Sequence, residues 1–138
     1  METQVQTKVE TDYAEIKRTA LDYIEGWYDG DAGRMERSLH PQLAKRIVEH
    51  NASGSLGRRP GDRLDEMSAL RLVQNTRHDP IPVNERRKDV TILDRFENAA
   101  SVRIDAQNWI DFLHMAKWNG RWVIINVLWE LRPETPTA

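Results

Sequence analysis

Residues 109–131 read Trp-Ile-Asp-Phe-Leu-His-Met-Ala-Lys-Trp-Asn-Gly-Arg-Trp-Val-Ile-Ile-Asn-Val-Leu-Trp-Glu-Leu. Two β-rich runs flank Asn119-Gly120, the strongest short hairpin signal in a sequence. A two-residue loop sets Trp118 against Arg121 and fixes the pairs that follow. Strand alternation then predicts two faces. One carries Ile110, Phe112, His114 and Ala116 opposite Trp129, Val127, Ile125 and Val123. The other carries Trp109, Asp111, Leu113 and Met115 opposite Glu130, Leu128, Asn126 and Ile124. Neither face reads as wet. Helices are expected to cover one side and a second subunit the other.

Composition narrows the classes of function. The 138 residues suit a single domain that buries about two-thirds of its unfolded surface. Charged residues make up 30% of the chain and nearly balance to a net charge of -2, so no basic field points to nucleic acid. The absence of cysteine excludes disulfides, thiolate catalysis and cysteine-ligated metals. The four histidines (His40, His50, His78, His114) show no metal-ligand spacing, so no metal is expected. Glycine-rich phosphate loops and a nucleophile elbow are missing, so no cofactor is expected either. No apolar run is long enough to cross a membrane, and the N-terminus lacks the features of a signal peptide. A cytoplasmic protein that meets neither membrane nor nucleic acid is the expectation.

Outward from the hairpin, residues 1–11 read as a loose polar tail. Thr11 or Asp12 can cap a helix whose inner stripe is Tyr13, Ile16, Ala20, Tyr23, Ile24 and Trp27. Asp29-Gly30-Asp31 ends it and starts a short second helix, which His40-Pro41 stops. Residues 43–48 suit a strand. Residues 51–63, with three glycines, Pro60 and the Arg58-Arg59 pair, read as the most mobile internal segment, either a solvated loop or a lid able to capture an acidic substrate. Arg86-Arg87-Lys88 is a second basic loop cluster. Asp62 or Asp65 is expected to cap a third helix with Met67, Leu70 and Val73 inward. Strands follow over residues 89–97 and 99–106, and 133–138 is a second tail. Helices segregated from strands predict an α+β class, three N-terminal helices packed on a strongly bent antiparallel sheet over residues 12–132.

Four motifs then carry a resemblance. They are Gly26-Trp27-Tyr28-x-Gly30-Asp31, Leu39-His40-Pro41-x-Leu43-x-Lys45-Arg46, Trp109-x-Asp111-x-Leu113-His114, and Asn119-Gly120-x-Trp122-x-Ile124-x-Asn126-Val127-Leu128-Trp129-Glu130. Together they resemble the nuclear transport factor 2-like superfamily, in its branch labelled putative lumazine-binding, a relative of the polyketide-cyclase-like proteins. The resemblance implies a cone-shaped fold, a small-molecule pocket in the cone mouth and a homodimer through the sheet. Enzymes of the superfamily set an Asp/His or Asp/Tyr group inside the cone, usually without a cofactor.

Asp111 is the leading catalytic candidate, because a carboxylate between Ile110 and Phe112 is expected to be desolvated and so basic. Its alternative is a structural pairing with an arginine. Asn126 is expected one diagonal away, either holding a substrate oxygen or satisfying Asp111. His40 is expected near the cone mouth as a proton-transferring assistant, or as a helix cap. Trp109, Trp27 and Tyr28 are candidate walls for a flat ligand, with core packing as the alternative for Trp27 and Tyr28. His114 lies on the opposite face, where it reads as a satisfied histidine at a subunit interface, and becomes the pocket's polar group if the faces are exchanged. The expected activity is acid/base isomerisation, dehydration or cyclisation of a small, mostly apolar carbonyl or cyclic molecule. The alternatives are a non-catalytic binder of a flat heterocycle and a dimeric assembly module with a vestigial pocket.

Overall fold

The stripe Ile16, Ala20, Tyr23 and Ile24 is 0–2% exposed, and it fixes which side of the first helix faces the sheet. The computed structural model of the chain describes residues 2–52 and 61–133. Its elements are α1 (Glu2–Asp29), α2 (Ala32–Ser38), β1 (Leu39–Ala52), β2 (Gly61–Ser68), α3 (Ala69–Asn75), β3 (Lys88–Phe96), β4 (Ala99–Ala106), β5 (Trp109–Trp118) and β6 (Arg121–Leu131). The strands form a six-stranded sheet in the order β2-β1-β6-β5-β4-β3. Neighbours are antiparallel except β1 and β6, which run parallel. The sheet curls without closing, and the three helices cover its inner face around one core, in the α+β arrangement the sequence predicts.

Gly30 ends α1 at φ 68, a left-handed conformation that costs glycine little. A Cβ there would lie 2.0 Å from the His78 carbonyl oxygen, so this turn also needs the missing side chain. Asp31 then caps α2 by accepting from the Arg34 amide at 3.0 Å. Asp12 is no cap. The helix begins at Glu2, so residues 2–11 continue α1 instead of forming a loose tail. The reason lies in their helix-favouring Glu, Gln and Lys and in the Lys8–Glu97 ion pair at 3.4 Å. Asp12, 1% exposed, accepts from Trp122 Nε1, Lys117 Nζ and Arg95 Nη2, each at 3.1 Å. Burial alone raises its pKa, but these three donors outweigh burial and hold the carboxyl below its ordinary value.

The hairpin turns on Asn119 (φ 50) and Gly120 (φ 77), the two positive angles of a type I′ turn. Pairing follows the expected register from Trp118↔Arg121 to Met115↔Ile124 and then slips, so that His114 faces Asn126 and Ile125 is an extra residue. This bulge corrects the predicted faces. Ile124 and Val127 are both fully buried although three residues apart, a spacing that strict alternation cannot place on one face. Val127 and Trp129 consequently turn inward with Asp111, while Asn126 and Leu128 turn outward.

Two further readings are corrected. Residues 61–68 form a strand, and α3 starts only at Ala69, with the Ser68 hydroxyl accepting from the Arg71 amide at 3.2 Å. Pairing with β1, from Ala44↔Ser68 to Ala52↔Gly61, overrides a polar sequence that could equally have been helical. Leu70, expected inside, is 68% exposed. The expected lid contributes its ends to β1 and β2, while residues 53–60, including Arg58 and Arg59, lie outside the described residues, as do 134–138.

Candidate functional site

Register across four strands assembles the site. Met67, Lys45, Val127 and Leu113 form one row on the inner face, and Asp65, Ile47, Trp129 and Asp111 form the next. Asp111 is 0% exposed. Its Oδ2 accepts from Trp109 Nε1 at 2.8 Å, whereas its Oδ1 is buried without a hydrogen-bond partner. Burial pushes its pKa above the ordinary carboxylate value, opposed by the nearby Lys45 charge and by the Trp109 hydrogen bond.

Lys45 reaches inward from β1. Its Nζ donates to the Tyr23 hydroxyl at 2.7 Å and sits 5.3 Å, 5.9 Å and 5.0 Å from the ring centres of Tyr23, Trp27 and Trp129. Desolvation pulls its pKa below the ordinary lysine value and Asp111 pulls it back. The three ring faces also favour the ammonium form. Tyr23 is held well above its ordinary pKa by burial and by Asp111, so it stays a neutral phenol. Because that hydroxyl accepts from Lys45, its own proton is free to donate. Two donors and one orphaned acceptor thus share an aromatic enclosure. Among the described residues, no group of His, Cys, Asp and Glu is placed to hold a metal ion.

Beside this enclosure lies a cavity of about 300 Å³ lined by Trp27, Tyr28, Trp109, Ile81, Glu85, Gln107 and Asn108. Three predicted wall residues therefore meet around one space. Trp109 also packs against Tyr28 and Trp129, at 6.0 Å and 6.5 Å between ring centres. The Tyr28 hydroxyl is already committed, donating to the Arg87 carbonyl at 2.6 Å and accepting from the Gln107 amide at 3.2 Å. Only its ring is left for a ligand.

The other predicted residues are not brought to Asp111. Asn126 lies on the outer face with its amide 3.3 Å from His114 Nδ1, displaced there by the Ile125 bulge. His114 stays on the outer face by alternation. His40 packs edge-on against Trp118 at 4.9 Å, and Asp111 lies seven residues further along β5, roughly 23 Å at the rise of a strand. Lys45, Tyr23 and Trp129 are the residues that sequence reasoning missed. The available signal was Lys45 sharing strand parity with Leu43 and Ile47, a charge on the apolar side.

The long helix, the two short ones and the curled sheet define the nuclear transport factor 2-like class. Solved structures of this class superpose on nearly the whole chain. One from Shewanella baltica OS155, of unknown function, is 20% identical with TM-score 0.69, covering 90% of this chain and 96% of that one. One from Silicibacter pomeroyi DSS-3, also of unknown function, is 15% identical with TM-score 0.67, covering 90% and 98%. A third, from Streptomyces avermitilis and described as a putative dehydratase, is 9% identical with TM-score 0.59, covering 91% and 99%. At these identities the likeness shows the fold alone. The family model described as "Putative lumazine-binding" matches residues 11–130, and the chain belongs to that family. No curated protein matches the sequence. No helix among the described residues is long and apolar enough to cross a membrane.

Proposed function

We propose that this chain is a cofactor-free acid/base enzyme acting on a small, mostly apolar carbonyl or cyclic molecule. Asp111 is the base, and Lys45 with Tyr23 holds the oxygen. The observation that carries this reading is the buried, unpartnered Asp111 Oδ1 in the enclosure that holds the Lys45 ammonium and the free Tyr23 proton. A buried acceptor without a partner costs about 1–3 kcal/mol, and a substrate C–H or O–H proton gives it one. Abstraction of a proton beside a carbonyl moves charge onto the carbonyl oxygen. Lys45 and Tyr23 supply donors for that charge, a role in which loss of one donor costs roughly 2.7–4 kcal/mol. Asp111 then returns the proton at another carbon or to a leaving hydroxyl, which gives isomerisation or dehydration.

Deuterium wash-in tests it. A panel of small cyclic ketones in D₂O should exchange at the carbons next to the carbonyl with the native protein, and Asp111→Asn should abolish that exchange while ligand quenching of Trp fluorescence persists. Exchange unchanged by Asp111→Asn rejects the reading. A second reading, a non-catalytic binder of a flat heterocycle, is favoured by the Trp27, Tyr28 and Trp109 cavity. It requires Trp109→Ala to abolish binding and Asp111→Asn to leave it intact, with no exchange by either form. The partner face on this proposal is the outer sheet. Phe112, Ile125 and Leu128 are 42%, 41% and 39% exposed there, side by side across β5 and β6, and a second copy buries them.

A further inference from the structure

Far from Asp111, α2, α3 and the starts of β1 and β6 enclose a cavity of about 720 Å³. This is within the size of small-molecule pockets. Its floor is apolar. Leu39 and Val73 are 5% and 8% exposed, and Leu70 beside them is 68% exposed. The rim is cationic, with Arg37, Arg77 and Arg121 lining the space against Glu36, the only carboxylate among the described residues of the lining. Arg37 is engaged by Asp22 at 3.3 Å. The side chains of Arg77 and Arg121 have no hydrogen bond or ion pair among the described residues, whereas Arg34, Arg86, Arg95, Arg103 and Arg132 are each paired. His40 completes the rim. Its Nδ1 accepts from the Gln42 amide at 3.0 Å, so the neutral ring carries its proton on Nε2 and presents a donor.

We propose that this cavity is a second binding site, for a small amphipathic carboxylate. The head lies between Arg77 and Arg121, and the apolar body lies over Leu39, Leu70 and Val73. Guanidinium groups match a carboxylate with paired donors, and Arg77 and Arg121 line one space with their side chains uncommitted among the described residues. The apolar floor gives a bare inorganic anion nothing and gives an alkyl or aryl body its burial. The site is independent of the chemistry at Asp111.

A methyl NMR titration with sodium octanoate tests it. Saturable shifts are expected at Leu39, Leu70 and Val73, with octanoate binding about tenfold or more tighter than 1-octanol, the factor that a charge-assisted hydrogen bond supplies. Arg77→Gln with Arg121→Gln should bring octanoate down to the level of octanol, and Asp111→Asn should leave the titration unchanged. Both arginines are exposed, and thermal unfolding verifies that the double variant folds. Equal binding of octanoate and octanol, competition by inorganic phosphate as strong as by octanoate, shifts confined to the Trp109 cavity, or no saturable shift would each overturn the proposal.

Discussion

Asp12 offers the sharpest test of how the helix is held to the sheet. Its carboxylate joins α1 to three strands through Arg95, Lys117 and Trp122, whose side chains come from β3, β5 and β6. The two cations are themselves withdrawn from water, at 10% and 23% side-chain exposure. Asp12→Ala leaves both without a counter-charge and the indole N–H without an acceptor. Breaking a buried ion pair from one side costs about 3–5 kcal/mol, a large share of the ~5–15 kcal/mol that holds a domain together. Asp12→Asn keeps the shape and one acceptor oxygen, so it should cost about 1.5–3 kcal/mol. In urea, with a slope of ~2 kcal/mol per molar, the alanine variant's midpoint should fall by roughly 2 M. The pH dependence supplies a second check. The folded pKa lies below the unfolded one, so the carboxylate's contribution is fully present above the unfolded value near ~4 and fades as pH falls through the folded value. The gap between native protein and Asp12→Asn should therefore be constant at neutral pH and shrink in acid. A loss below about 1 kcal/mol in Asp12→Ala, or a gap that ignores pH, would refute the reasoning.

Asp111 should behave in the opposite sense. Its folded pKa is raised, so its contribution to stability is present below the unfolded value and lost as pH rises through the folded one. Asp111→Asn should thus gain in stability relative to the native protein as pH rises, while removing turnover, and a carboxyl NMR titration showing an ordinary or depressed value sinks the base assignment. Gly30→Ala should cost about 2 kcal/mol or more in thermal unfolding, because it adds a 2.0 Å clash with His78 to a left-handed backbone, and a neutral result would mean that the turn relaxes freely. Leu128→Asp, at an exposed position on the outer sheet, should yield a folded monomer in sedimentation at micromolar concentration. A native protein that is already monomeric refutes the dimer.

The hairpin shows where reading a sequence succeeds and where it stops. Asn119-Gly120 announced its own turn geometry, and the first four pairs followed from it. One extra residue, Ile125, then reversed every later assignment on β6, because the period of a strand is two. Nothing local marks that bulge except the consecutive apolar run from Trp122 to Ile125, which alternation could not have buried on one face. The first helix was legible from its stripe. Residues 61–68 were not, because their partner in pairing lies elsewhere in the chain and their own composition is neutral between helix and strand. The burial of Asp111 was legible from its apolar neighbours alone. Lys45 and Tyr23, the groups coupled to it electrostatically, come from other elements, and only the assembled sheet brings the three together.

The rings of Tyr23, Trp27 and Trp129 around Lys45 Nζ form a cation site that the chain fills from within. Aromatic boxes of this kind capture choline-like and methylated amines from solution. Here the guest is tethered to the wall. On the proposed reading, a soluble amine would meet a like charge there, while a neutral, electron-rich molecule would meet an attractive one. The lysine thereby keeps the box filled with a charge of its own, and Lys45→Ala, which removes the chain beyond Cβ, would leave three ring faces empty.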